Sequence, residues 1–389
     1  MTEPFKIDQE YDVNIERMSF GPRAVARIHY TEGDRPLVVF VEGAAPGDRA
    51  RIRLTHQHKN YWEAEIVEVL TASNARTQPL CRHFGTCGGC QWQHLTYEAQ
   101  LAAKKEILLH QIEKTTKVPR SELETILNVH GASSPWGYRT RAQVRGQGRN
   151  MGFFEKHSRN LVAIEECPVL HPKIMEQWKR FRKEKAPELA GPNKEFKVEW
   201  TLRESGKVTE AVNQPHAALG FTQINSEGNA TLKKIVETAA MRTTTKDLLW
   251  DLYGGTGNLV DLLIPSFETT LTVDAENQGV RYSSEQNETS GHTVVKAKTK
   301  TFLQLWSQSK DPKHPNCIVV DPPRTGLEDN AEKIAEVGAE RVILVSCDPA
   351  SLARDLTKFL ALYEIRSLDL IDMFPQTYHL ESVVELVRR

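Results

Sequence analysis

The chain has 389 residues, 39% apolar and 26% charged, which suits a protein with real cores and room for two or three domains. Lysine plus arginine (50) nearly balance aspartate plus glutamate (51), so overall charge points to no nucleic-acid partner and only local charge can. No apolar run approaches the roughly 18–20 residues needed to cross a membrane, and Met1–Lys6 lacks the regions of a signal peptide. A cytoplasmic protein without membrane association is expected. In a reduced compartment its six cysteines are more often metal ligands or catalytic groups than disulfides.

Residues 5–72 form a first region of short alternating strands. Gly21-Pro22, Glu32-Gly33-Asp34 and Ala45-Pro46-Gly47-Asp48 separate runs such as Val38–Val41, Ala50–Leu54 and Glu63–Val69, which predicts a small β-barrel. Between Arg49 and Trp62 there are four Arg/Lys, two His, two aromatics and no acid, a mixture suited to RNA as well as to a solvated barrel face. A second region, 73–227, opens with three cysteines inside ten residues, Cys81-Arg82-His83-Phe84-Gly85-Thr86-Cys87-Gly88-Gly89-Cys90, with Cys167-Pro168 far downstream. Four thiolates can hold zinc or an iron–sulfur cluster, and spacing alone does not decide. Gly88-Gly89 lets backbone N–H groups approach sulfur, which suits a cluster, while His83 and His94 remain possible substitute ligands. Apolar spacing over 96–116 predicts a helix. A β-rich stretch follows, in which Arg139, Arg141, Gln143 and Arg145 share one strand parity, a candidate phosphate-contact face or else a solvated one.

From about 228 to 389 the pattern changes to alternating helices and strands, which predicts a parallel sheet with helices on both sides. Trp250-Asp251-Leu252-Tyr253-Gly254-Gly255-Thr256-Gly257-Asn258 is a strand, then a glycine turn, then an expected helix from near Leu259. The turn has no P-loop lysine and by itself is a weak nucleotide signal. Leu271-Thr272-Val273-Asp274 ends the next strand in an acid able to accept ribose hydroxyls. Cys317–Val320 runs into Asp321-Pro322-Pro323, and two prolines leave Asp321 at the strand mouth. The run Arg341–Val345 stops at Ser346-Cys347-Asp348-Pro349. Ligands bind at the carboxyl ends of such strands, so Cys347 is expected at a mouth, although an isolated free cysteine is more often a packing residue. Glu381 stands at the start of a last strand, Ser382–Val387.

Together these blocks resemble the S-adenosylmethionine-dependent RNA uracil-C5 methyltransferases that carry an N-terminal TRAM domain, most closely the bacterial 23S rRNA members. The resemblance covers nearly the whole chain: the barrel, the Cys-x5-Cys-x2-Cys loop with Gln93-His94, Cys167-Pro168, Phe221–Asn225, Ser346–Pro349 and His379-x-Glu381. It implies a multidomain α/β protein made of a TRAM barrel, a central β-rich domain with a cluster loop and a Rossmann-like methyltransferase domain. It implies a [4Fe–4S] cluster on Cys81, Cys87, Cys90 and Cys167. S-adenosylmethionine would be bound by Gln223, Tyr253, Asn258 and Asp274, with Asp321 in the shared pocket. Cys347 would be the nucleophile and Glu381 the general base in forming 5-methyluridine, in an enzyme expected to act as a monomer. Two departures stand out: Gly254 replaces a cysteine usual in the loop, and Lys298-Thr299 stands where an acid or amide normally meets adenine. A transfer-RNA substrate, a radical S-adenosylmethionine enzyme and a catalytically inactive RNA-binding or assembly protein are the alternatives. The radical enzymes use a tighter Cys-x3-Cys-x2-Cys loop, and intact Cys347 and Glu381 weigh against inactivity.

Overall fold

A computed structural model describes residues 5–29, 36–147, 150–189, 195–214, 223–275 and 291–389. The chain divides into two compact units, one of residues 1–107, 133–219 and 374–379, the other of residues 108–132, 220–373 and 380–389.

In the first unit β1 (Glu10–Met18), β2 (Arg23–Ile28), β3 (Leu37–Glu42), β4 (Arg49–Gln57) and β5 (Trp62–Thr71) close a barrel in the order β1-β2-β3-β5-β4. Strand alternation sends Ala50, Ile52 and Leu54 inward and Arg49, Arg51 and Arg53 outward. The outward arginines do not make a free basic face. Antiparallel pairing brings Asp12 to 2.9 Å from Arg51 and Glu10 to 2.9 Å from Arg53, with Glu65 and Glu68 on the other side. Asp48, fully buried, accepts from the backbone of Ala45 and Ser73 and is paired with Arg76, which pins the last strand to the barrel.

A second sheet in this unit holds β7 (Arg141–Gln147), β8 (Asn150–Phe154), β9 (Leu161–Ala163), β10 (Glu195–Leu202) and β11 (Val208–Val212), ordered β11-β10-β7-β8-β9. Trp178 and Phe181 of the helix Pro172–Glu184 pack with Trp200 and Phe196 in its core. The expected phosphate-contact face does not form as read. Arg141 is buried and lies 2.8 Å from the buried Glu199 of β10, so its charge is spent inside the sheet. Arg139 and Arg145 instead lie over the rings of Phe153 and Phe154.

The second unit is built on one eight-stranded sheet ordered β14-β13-β12-β15-β16-β18-β17-β6. Its strands are β6 (Leu127–His130), β12 (Leu248–Leu252), β13 (Thr269–Asp274), β14 (His292–Lys296), β15 (Cys317–Val320), β16 (Arg341–Ser346), β17 (Tyr363–Ile371) and β18 (Glu381–Arg388). The five from β14 to β16 run parallel, but β18 enters antiparallel between β16 and β17, making the sheet mixed rather than purely parallel. All of β15 and β16 is buried, including Cys317, as expected for near-continuous apolar strands of a covered sheet. The helix expected from Leu259 is replaced by turns and a short 3-10 segment, Ile264–Ser266. Pro265 denies a donor and disfavours helical backbone before it, leaving too few residues for a stable helix.

Candidate active site

Register builds the centre of the site. β16 pairs with β18 up to Ser346↔Ser382, so Cys347, just past the end of β16, and Glu381, at the start of β18, come to the same edge of the sheet, near enough for the Glu381 charge to act on the thiol. Ser382 Oγ donates to the Ser346 carbonyl at 2.9 Å, closing the strand end. Asp348 then caps the helix Pro349–Phe359: its carboxylate accepts from Ala350 N and Ser351 N at 3.0 and 2.8 Å, and Pro349 takes the first helical position. The Ser-Cys-Asp-Pro block is therefore a strand end, a half-buried thiol, a cap and a helix start. On the neighbouring strand, Asp321 N donates to the Leu252 carbonyl at 3.3 Å, which places Asp321 beside the end of β12.

Charge at this mouth is mostly negative. Burial, with Glu381, Asp321 and Asp348 nearby, pushes the Cys347 thiol up to about 11, and the Arg324 charge opposes it. A helix start and a cation each favour a thiolate, but in the free protein burial first and the carboxylates next outweigh them. Burial and the Asp321 charge hold Glu381 well above the ordinary carboxylate range, and burial raises Asp321 to about 6.

Next to Asp321 lies a pocket of about 230 Å³ lined by the glycine turn, with Gln223, Tyr253, Asn258, Asp251 and Asp321 on its wall. Tyr253 and Gly255 hold φ of 61° and 54°, so the turn bends sharply away from β12. Gly255 N donates to Asp274 Oδ2 at 3.0 Å, tying the acid at the end of β13 to the turn. Asn258 exchanges amide hydrogen bonds with Asn229 at 2.9 and 3.1 Å, and Asn330 Nδ2 donates to the Tyr253 hydroxyl at 2.9 Å. Of the Phe221–Asn225 element, Phe221 and Thr222 lie outside the described residues; Asn225 caps the helix Ser226–Met241. Lys298 is exposed and flanks the helix Thr299–Ser307 without a side-chain cap.

Sequence reasoning passed over Asp251. It is the one acid in an otherwise apolar strand, and that was its signal. Its Oδ2 accepts from Thr272 Oγ1 at 3.1 Å, while Oδ1 is buried with no hydrogen-bond partner among the described residues. Burial raises its pKa to about 7. An orphaned acceptor on the wall of a glycine-turn pocket suits a cofactor that carries a cationic donor.

In the first unit Cys81, Cys87, Cys90 and Cys167 line one small cavity with His83, Arg139 and apolar neighbours. Gly89 N points at Cys87 Sγ at 3.4 Å, and Gln93 Oε1 accepts from Cys81 N at 3.0 Å. Among the described residues no three His, Cys, Asp or Glu side chains gather tightly enough to hold a single metal ion. His94 does not line the cavity; its Nε2 is 3.1 Å from the Ala44 carbonyl and it is buried in that role. Burial raises the Cys90 and Cys167 thiols to about 12 and about 11. No helix among the described residues is long and apolar enough to cross a membrane.

Comparison with known proteins adds the following. A family model described as tRNA (Uracil-5-)-methyltransferase matches residues 211–389, and a TRAM domain model matches residues 4–67. An uncharacterized RNA methyltransferase of Bdellovibrio bacteriovorus is 30% identical over 390 residues, covering 96% of this chain and 94% of that protein. The 23S rRNA (uracil(1939)-C(5))-methyltransferase of Thiobacillus denitrificans is 28% identical over 423 residues, covering 89% of this chain and 94% of its own. The fold is similar to that of the Pyrococcus abyssi tRNA (uracil-54, C5)-methyltransferase, crystallised with S-adenosyl-L-homocysteine. The TM-score is 0.64 at 19% identity, over 96% of this chain and 99% of that one.

Proposed function

Because the chain belongs to the RNA uracil-C5 methyltransferase family, with a TRAM domain ahead of its S-adenosylmethionine-dependent methyltransferase domain, we propose that it methylates C5 of a specific uridine in 23S ribosomal RNA through a covalent bond from Cys347. The observation that carries the mechanism is the β16–β18 register, which brings the end of β16, followed by the half-buried Cys347, to the start of β18 at the buried Glu381. The ribosomal substrate is supported by the name and near full-length match of the Thiobacillus relative. A transfer-RNA substrate is the second reading, favoured by the description of the matching family model.

Uracil C5 is a poor nucleophile. The Cys347 thiolate, its proton released to water, forms a bond to C6; the C5–C6 π electrons move into an enolate and C5 becomes nucleophilic. S-adenosylmethionine, when bound, supplies a methyl group activated by a sulfonium. Gln223, Tyr253, Asn258 and Asp274 are the side chains assigned to hold it, and Asp251 Oδ1 offers an acceptor to a cationic donor. Positive charge next to Asp321 favours ionisation of both Cys347 and Glu381. Once C5 carries the methyl group, the Glu381 carboxylate takes the C5 proton, the C6–Sγ bond breaks, and the ring double bond returns. Burial makes Glu381 a stronger base than a free carboxylate. The reaction requires the uridine outside its stack, which favours single-stranded RNA.

The cavity of four thiols fits a [4Fe–4S] cluster better than a single zinc ion. Four cysteines line it and a backbone amide points at sulfur, the feature that favours a cluster. Cys81, Cys87, Cys90 and Cys167 would hold it in a mainly structural role.

The test is to incubate the protein and Cys347→Ala with 23S rRNA or transfer RNA and methyl-labelled S-adenosylmethionine. The expected result is 5-methyluridine in 23S rRNA with the parent, and none with the variant despite retained RNA binding. Full activity of Cys347→Ala removes the nucleophile assignment; label in transfer RNA alone moves the substrate.

A further inference from the structure

Three adjacent strands of the second unit's sheet set a line of polar side chains on one face, starting at the wall of the glycine-turn pocket. Asp251 of β12 lies beside Thr272 of β13 in the parallel register, and His292 of β14 lies beside Thr270, two residues earlier on the same face. Thr272 Oγ1 is 3.1 Å from Asp251 Oδ2 and 3.1 Å from His292 Nε2, so one hydroxyl joins the carboxylate to the imidazole. All three residues are buried, Thr272 completely. The other carboxylate oxygen, Oδ1, is the one without a partner among the described residues, and Asp251 lines the pocket. A layer serving stability alone would be apolar, because buried polar groups that leave an acceptor unpaired cost free energy.

A hydroxyl carries one hydrogen. When Asp251 is ionised, Thr272 donates to it and accepts from His292, whose hydrogen is then on Nε2. When Asp251 carries a proton on Oδ2, both bonds reverse: Asp251 donates to Thr272, Thr272 donates to Nε2, and the imidazole hydrogen is on Nδ1. Burial lowers the His292 pKa, so at pH 7 the ring is neutral and its two tautomers are the two states. Burial, more than the carboxylates of Asp321 at the end of β15 and Asp274 at the end of β13, keeps the proton on Asp251, and the Thr272 hydrogen bond opposes them. We propose that Thr272 and His292 are positioning residues for Asp251, a relay whose direction follows its charge and which a cation at Oδ1 locks in the ionised form. This rests on Asp251 being the acceptor for the cofactor's cationic group. Binding below pH 7 then releases one proton to water and moves the His292 hydrogen from Nδ1 to Nε2.

The test joins nitrogen NMR of the full chain with labelled histidine to calorimetry of S-adenosylmethionine binding from pH 6 to 9. The His292 signal is the one missing from His292→Gln. At pH 6 the free protein should show His292 neutral with hydrogen on Nδ1. Raising the pH through about 7, where Asp251 ionises, or adding S-adenosylmethionine at pH 6, should move it to Nε2. Thr272→Val keeps the side-chain shape and removes the hydroxyl. It should raise the midpoint of the affinity rise by about one pH unit, the worth of one hydrogen bond to a charged group, and leave the affinity at high pH unchanged. Thr272→Ser should return the midpoint to the parent's. A His292 tautomer indifferent to pH and cofactor overturns the proposal, as does a Thr272→Val midpoint equal to the parent's. A Thr272→Val affinity lowered equally at every pH overturns it too, since packing alone predicts that. Asp251→Asn is the control. If it binds S-adenosylmethionine with the parent's affinity and slope, the acceptor reading has failed; if it loses the slope while the His292 tautomer never changes, only the relay has.

Discussion

Cys347 is the nucleophile in the proposed mechanism, yet its free thiol is pushed up to about 11 by burial and by Glu381, Asp321 and Asp348. At neutral pH it is almost wholly protonated. Alkylation of Cys347 in the protein without ligands, followed on its peptide by mass spectrometry, should speed up about tenfold per pH unit from 7 towards 10. At a pH that ionises Glu381, Glu381→Gln removes a neighbouring negative charge, so there it should alkylate faster than the parent, although in the proposed mechanism it does not complete turnover. A flat pH profile would show that some other charge already holds the thiolate. Asp251 gives a second pH test. Its carboxyl is raised to about 7, so it is protonated below that and ionised above. A cationic cofactor binds the ionised form; affinity for S-adenosylmethionine, measured by calorimetry, should therefore rise between pH 6 and 8. Asp251→Asn should bind more weakly and lose that slope. At this scale the sequence was legible where a side chain ends a strand: Cys347, Asp321 and Glu381 stand out because an apolar run stops or starts beside them. Asp251 was hidden because it lies within the strand, and only the packing of Thr272 and the glycine turn around it reveals its orphaned oxygen.

Elements explain the misreadings. Period-two alternation correctly groups Arg141 with Arg145 on one side of a strand, but cannot tell whether that side is covered. The covering acid, Glu199, arrives 58 residues later on β10. Arg141 thus belongs to stability. Glu199→Ala leaves a buried guanidinium without its partner and should cost about 3–5 kcal/mol in denaturant unfolding; no loss would mean that water already solvates Arg141. Gly254 is a tighter constraint than its sequence departure suggested. A Cβ there would lie 2.1 Å from Asp251 Oδ2 and 2.6 Å from Thr272 Cγ2. Gly254→Ala should therefore displace Asp251, lower cofactor affinity and cost about 1–3 kcal/mol as an overpacked site. Unchanged binding would show that the turn yields freely. The absent helix after the glycine turn has a local cause, Pro265, visible in the sequence but given too little weight.

For the whole molecule, the barrel and the α/β sheet were readable because periodicity and turn residues change sharply along the chain. The antiparallel entry of β18 was not readable, since a strand's direction in a sheet depends on which neighbours it meets. The proposed mechanism depends most on that insertion, because it brings the start of β18 to the end of β16, next to residue 347. The cysteine cavity makes a separate statement about composition. Protein purified without air should absorb near 400 nm and hold about four irons per chain, as one four-iron cluster requires. Zinc with no iron would contradict the cluster. The most direct test of the account is the fate of Glu381→Gln on its RNA. With a 23S rRNA fragment and S-adenosylmethionine, the variant should yield a band resistant to denaturation, in which the peptide containing Cys347 carries a methylated uridine. Free 5-methyluridine at the parent's rate, with no linked peptide, would contradict it.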